Sequence, residues 1–245
     1  RRVLRGVHQG VKDGGNQSGI PNLNGAIVFH ERFLGKPLVF CGTGGLIPAT
    51  INGKPSHEKC AKPGDLIVMC GGRIGKDGIH GATFSSEELH EGSPATAVQI
   101  GDAITQKKMA DFLLEARDRG LFSNITDNGA GGLSSSIGEM AKGSGGAVIH
   151  LDRAPLKYPG PAPWRSFLSE AQERMTLGVP PAKKDAFLDL ANRREVEATV
   201  LGEFTDSGRL ECFYENKLIG ALDMNFLHDG VPKMHLKAVW QPPAL

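Results

Sequence analysis

Asp127 follows a short expected strand, Phe122 to Thr126, and Asn128-Gly129-Ala130-Gly131-Gly132 comes at once, before a helical stretch from about Ser134 to Lys142. An acid at the C-terminal end of a strand, then glycine-rich backbone and a helix N-terminus, suits a hard cation bridging to phosphate. The carboxylate would be an oxygen ligand and the helix amides would face the anion. The same carboxylate could cap the loop or the helix, and spacing alone does not choose between the two. A second glycine loop, Gly71-Gly72-Arg73-Ile74-Gly75-Lys76-Asp77-Gly78-Ile79-His80-Gly81, leaves the apolar run Leu66 to Cys70. Successive N–H groups in such a loop can cradle phosphate. Its spacing matches neither a Walker A loop nor a dinucleotide fingerprint, and taken alone it favours a structural turn, with His80 a polar turn residue.

Two further groups carry polar chemistry. Gln99-Ile100-Gly101-Asp102 precedes a helix over 102–119; Asp102 is its N-cap, and Gln99 offers an amide at a strand end. Ser169-Glu170-Ala171-Gln172-Glu173-Arg174-Met175 gathers two acids, an amide and an arginine. Spacing alone favours a solvated helix end there.

These loops need elements to hold them. Val3, Leu4, Val7 and Val11 predict a helix over 2–13, stopped by Gly14-Gly15-Asn16. Ile20 to Leu23 and Ala26 to Phe29 predict short extended pieces, and Pro37 to Cys41 a buried strand. Residues 47–63 predict a polar connector ending in the turn Lys62-Pro63-Gly64-Asp65. Ile104, Met109, Phe112, Leu113 and Ala116 make one apolar helical face, which Gly120 terminates. Further strands are expected at 147–151, 174–178, 198–203 and 210–214, and helices at 164–171 and 182–193. Strands and helices alternate, so the class is α+β or α/β, with a boundary near residues 52–63.

Composition narrows the class. Formal net charge is +1, with 28 basic and 27 acidic residues, which gives no reason to propose nucleic acid or a membrane as partner. No apolar run approaches the ~20 residues of a membrane helix. Cys41, Cys60, Cys70 and Cys212 form no C-x-x-C and are expected to be buried free thiols in a reducing cytoplasm. Glycine supplies 33 of 245 residues, well above the usual ~7%, which points to tight turns and close backbone approach.

In order along the chain, Gly19-Ile20-Pro21, the 71–84 loop, Val98 to Asp102, Asp127 to Leu133, His150-Leu151-Asp152-Arg153-Ala154-Pro155-Leu156 and Ser169 to Met175 resemble the first synthetase half of the phosphoribosylformylglycinamidine synthase family. The likeness runs from about residue 1 to residue 225. It implies an α+β architecture: residues 1–55 as the end of an A-type, PurM-like N-terminal domain, 60–225 as a B-type, PurM-like C-terminal domain with a mixed sheet, and 226–245 as a linker or tail. It implies an ATP-dependent ligase that converts formylglycinamide ribonucleotide and ammonia to the amidine, with ATP and Mg2+ as cofactors. Ammonia would come from a glutaminase domain or subunit, and a second synthetase half would pair with this one.

Carried over by position, Gln99 matches a substrate-contacting glutamine and Asp127 a magnesium ligand. Glu170, Ala171 and Gln172 match a Glu-Ser-Gln substrate segment; Ala171 departs from it, so a hydroxyl contact there is lost and a backbone contact is what the resemblance leaves to it. Ala26 stands where many members have Glu, so position 26 is not expected to be a ligand. The family's catalytic histidines and its ATP-binding lysine and acids are expected upstream of residue 1. No catalytic residue is therefore expected in this chain, which alone should be inactive and should self-associate through residues 25–45. Aminoimidazole ribonucleotide synthetase and selenophosphate synthetase share the fold but should lack the Ser-Glu-x-Gln-Glu-Arg-Met segment. A non-catalytic module of the same fold is the other alternative.

Overall fold

The computed structural model describes residues 1–88, 90–93 and 101–242. Helix α1 spans Arg2–Ser18. It runs through Gly14 and Gly15, where the sequence led us to expect its end. A glycine inside a helix costs only about 1 kcal/mol; the stop comes at Gly19, whose left-handed backbone (φ 71°) closes the last turn by donating to the Gly15 carbonyl. The buried strand expected at Pro37 to Cys41 does not form: Leu38 is 76% and Phe40 88% exposed. No strand pairing involves residues 20–47 either. A continuous apolar run becomes a strand only beside a partner that takes its backbone hydrogen bonds, and among the described residues none lies there. In the expected connector, β1 (Thr50–Ile51) and β2 (Lys54–Pro55) form a small hairpin. Its turn is Asn52-Gly53, both at positive φ, the two-residue turn whose twist matches antiparallel strands.

The remaining elements are β3 (Leu66–Gly71), α2 (Gly81–Ser86), α3 (Ala103–Asp118), β4 (Asn124–Asp127), α4 (Gly132–Ser144), β5 (Gly146–His150), α5 (Pro163–Leu168), β6 (Arg174–Val179), α6 (Lys184–Arg193), β7 (Ala198–Thr205), β8 (Arg209–Tyr214), β9 (Lys217–Asp223) and α7 (Met224–Asp229). Among the described residues β3–β9 form a seven-stranded mixed sheet in the order β4-β6-β3-β7-β5-β8-β9. The β5–β8 pair is parallel and the other pairs antiparallel.

Strand β3 shows why the sheet is covered on both faces. Its side chains alternate: Ile67 and Met69 join one core with Leu133, Ile137 and Met140 of α4, while Val68 and Cys70 join another with Phe112 of α3 and Phe187 of α6. A strand buried on both faces carries an unbroken apolar run, which is how Leu66 to Cys70 differs from a half-exposed strand. Phe112 and Phe187 meet edge to face at 5.0 Å, locking α3 to α6. Gly202 permits the tight β5–β7 pairing, since a Cβ there would lie 1.9 Å from the Val148 carbonyl oxygen. Helix α7 docks on α4, where the His228 ring meets the Gly138 carbonyl at 3.1 Å. No described helix is long and apolar enough to cross a membrane.

Burial divides the thiols. All four are expected from the sequence to be buried, but Cys41 and Cys60 are exposed and only Cys70 and Cys212 are buried. Burial pushes the Cys70 thiol up from 9.0 to about 12 and Cys212 up to about 11. Buried thiols that hold their protons are poor nucleophiles. Ellman's reagent at pH 8 should therefore titrate Cys41 and Cys60 quickly and reach Cys70 and Cys212 only on unfolding; rapid reaction at Cys70 in the native chain would contradict the packing of β3. The unfolded chain ionises Cys70 from its ordinary value of 9.0, below the native value. This thiol's contribution to stability is therefore complete below pH 9 and declines as pH rises toward 12.

Candidate functional site

Antiparallel pairing gathers the chemistry at one edge of the sheet. Gly71, at the end of β3, pairs with Arg174 at the start of β6, and Asp127, at the end of β4, pairs with Met175. The glycine loop after β3, the loop after β4 and the segment before β6 therefore lie side by side.

The segment from Ser169 to Arg174 is the centre of this edge, and it is not a solvated helix end. Helix α5 stops at Leu168, and the chain turns extended at Ser169 (φ −61°, ψ 130°). Ser169 is fully buried, Ala171 is 1% exposed, and Glu170 and Arg174 are 7% and 3% exposed. The spacing was misleading because these polar groups are satisfied by backbone brought from distant parts of the chain, which no local pattern displays. The Ser169 hydroxyl donates to the Gly75 carbonyl at 2.8 Å and accepts the Ala171 N–H at 3.3 Å. Glu170 spans both glycine loops: one carboxylate oxygen accepts the Ala82 N–H at 2.9 Å and the other the Gly131 N–H at 3.1 Å.

Arg174 holds the same segment from beneath. Its Nε donates to the Ala171 carbonyl at 2.8 Å and its Nη2 to the Ser169 carbonyl, with Nη1 over the Met69 sulfur. Burial pushes this guanidinium down to about 10, partly offset by the Asp77 carboxylate. Glu173 stands at positive φ (56°) beside it, and its carboxyl is raised, mainly by burial.

Asp127 is exposed at its strand end, and its Oδ1 accepts the Gly129 N–H at 2.9 Å. Its Oδ2 accepts no hydrogen bond among the described residues. No group of three His, Cys, Asp or Glu side chains able to hold a metal occurs among the described residues. Next to Asp127, buried Asn128 accepts both the Ser136 hydroxyl (2.6 Å) and the Thr176 hydroxyl (2.8 Å), fixing the loop to α4 and β6. Asp102 caps α3 as expected, accepting the Ile104 N–H at 3.2 Å and the Thr105 hydroxyl at 2.8 Å. His80 has positive φ (61°) at the start of α2. Gln99 lies outside the described residues.

Gly81, Ala82, Gly101, Gly129, Ala130, Glu170 and Gln172 line a cleft of about 480 Å³ between these loops. Its walls are mostly backbone and small side chains, with Glu170 and Gln172 the long polar groups. Glu170 and Gln172 of the expected substrate segment are therefore brought together there. Ala171 is turned inward, with both of its backbone polar groups bonded inside the chain. Sequence reasoning missed Ala82, Asn128 and Arg174. Each had a weak signal: a small residue directly after a loop glycine, an amide between an acid and a glycine run, and a basic residue that follows two acids and opens a strand.

Residues 62–215 match the family described as AIR synthase related protein, C-terminal domain. Phosphoribosylformylglycinamidine synthase subunit PurL of Staphylococcus haemolyticus is 40% identical over 235 residues, 95% of this chain and 32% of that protein. The Picrophilus torridus subunit is 35% identical over 230 residues, 93% of this chain and 31% of its own length. Among solved structures, Thermotoga maritima PurL complexed with FGAR superposes with a TM-score of 0.69 at 33% identity, over 76% of this chain and 31% of that one. The same protein complexed with ATP gives 0.65 at 29% identity, over 79% of this chain and 30% of that one. The resemblance read from the motifs is thus borne out, and the chain spans about a third of the length of these relatives.

Gly132 is the tightest junction of the site. A Cβ there would lie 2.0 Å from the Ser169 carbonyl oxygen, at φ +56°. Gly132→Ala should destabilise the chain by about 3 kcal/mol, lowering Tm by roughly 6–12 °C. Thermal unfolding followed by circular dichroism checks this; an unchanged midpoint would mean that the loops do not meet as described.

Proposed function

This chain belongs to the AIR synthase related C-terminal domain family, and on that premise we propose that it is part of an ATP-dependent ligase of de novo purine biosynthesis. The ligase converts formylglycinamide ribonucleotide, ATP and ammonia to formylglycinamidine ribonucleotide, ADP and phosphate. The observation that carries this reading is the burial of Ser169, Glu170 and Ala171 between two glycine loops, with Glu170 and the exposed Gln172 lining a common cleft. Supporting it, proteins that match 93–95% of this chain are phosphoribosylformylglycinamidine synthase subunits.

Glu170 and Gln172 would hold the substrate by hydrogen bonds, Gln99 would add an amide contact, and Ala171 shapes the segment that presents them. The Glu170 carboxylate already accepts one amide at each oxygen, which fixes its plane and leaves further lone pairs for substrate hydroxyl or amide donors. Asp127 would supply one carboxylate to Mg2+, and a bound Mg2+ would neutralise charge on the transferred phosphoryl group. The Gly129–Gly132 backbone lies beside it at the α4 N-terminus, where phosphate oxygens are favoured. Residues 1–55 would complete an A-type domain. Ammonia from a glutaminase and a second synthetase half are the partners implied, in a cytoplasmic setting. The exposed apolar side chains of residues 25–45 would mediate association, with a further copy when the chain is alone. By itself the chain would not complete the ligation.

Titration calorimetry with formylglycinamide ribonucleotide tests the substrate assignment. Binding is expected in the wild-type chain, weakened at least about tenfold by Glu170→Ala; absence of wild-type binding contradicts the reading. In the complete ligase, Asp127→Asn should lower kcat on the order of a hundredfold, with little change in Tm. Early unfolding with normal turnover would instead make Asp127 a loop cap.

A further inference from the structure

We propose that Arg174 is the positioning residue of the substrate segment: its buried guanidinium sets the direction of Glu170 by gripping the carbonyls on either side of it. The inference deepens the proposed function and rests on it for its ligand. Nε and Nη2 donate to the carbonyls of Ala171 and Ser169, the residues that flank Glu170. No carboxylate forms an ion pair with Arg174 among the described residues. A buried charge without a paired anion is costly to keep. An apolar side chain beside Met69 would avoid that cost but leave the Ala171 and Ser169 carbonyls without their donor. What the guanidinium alone supplies is a rigid planar fork that binds two carbonyls at once.

The consequence passes through Glu170. With its neighbours' carbonyls held, its carboxylate meets the amides of Ala82, which lines the cleft, and of Gly131, the residue after the lining Ala130. Release the carbonyls, and Glu170 can turn away from both loops. Lysine keeps the charge and three donors but lacks the rigid planar fork, so it does not fix the two carbonyls in the same geometry.

Arg174→Lys and Arg174→Met in the full 245-residue chain test this by hydrogen exchange and by calorimetry with formylglycinamide ribonucleotide. The expected result is selective. Exchange of the Ala82 and Gly131 amides accelerates at least about tenfold, ligand affinity falls by a similar factor, and the β3–β6 ladder amides of Val68 and Leu177 keep their protection. A double variant, Arg174→Lys with Glu170→Ala, should bind no more weakly than Glu170→Ala alone, because the arginine acts through that carboxylate. Unchanged protection and affinity in Arg174→Lys would overturn the proposal, as would equal loss of protection across the β3–β6 ladder, the mark of a merely structural arginine. If the wild-type chain fails to bind the ribonucleotide, the ligand assignment falls, while the exchange pattern still decides the role of Arg174.

Discussion

The Ser169–Arg174 backbone runs against two glycines, and the site depends on that approach. A Cβ at Gly132 would fall 2.0 Å from the Ser169 carbonyl oxygen, and one at Gly71 would fall 2.1 Å from that of Glu173. Both glycines have positive φ (56° and 103°), so they provide space and a backbone turn that other residues rarely take. Two loops from the ends of different strands can therefore touch one segment at hydrogen-bonding distance. Glu170 then has two amide donors to join, and a cleft forms between the loops that carry them.

The sheet makes this convergence inevitable. Antiparallel pairing of β6 with both β3 and β4 brings two strand ends and one strand start to the same edge. Apolar layers on both faces hold the register: α4 against Ile67 and Met69, and α3 with α6 against Val68 and Cys70. Side-chain alternation makes slippage by one residue exchange these two sets. The loops are glycine-rich and contribute little to the core, yet their anchors sit in its most tightly packed strands.

Much of this architecture was legible in the sequence. The unbroken run Leu66 to Cys70, the apolar face of α3 from Met109 to Ala116 and the Asp102 cap each follow from local pattern, and each is present; Ile104, expected on that face, is exposed. Local pattern failed where the outcome was set at a distance. Pro37 to Cys41 has a strand's composition but no neighbouring strand among the described residues. Gly14 and Gly15 look like a helix stop, but the stop needed the left-handed turn that Gly19 provides. Ser169 to Met175 has the composition of a solvated surface, yet its polar groups find partners as far away as Gly75, Ala82 and Gly131. The order of motifs pointed to this segment's role when its spacing did not.

A crystal structure of the chain with formylglycinamide ribonucleotide tests the central claim most directly, namely that the cleft between the two glycine loops is the substrate site. Ligand density is predicted among Gly81, Ala82, Gly129 and Ala130, with polar atoms of the ligand within hydrogen-bonding distance of Glu170 and Gln172. Density bound elsewhere on the chain, with Glu170 still paired only to the amides of Ala82 and Gly131, would contradict it.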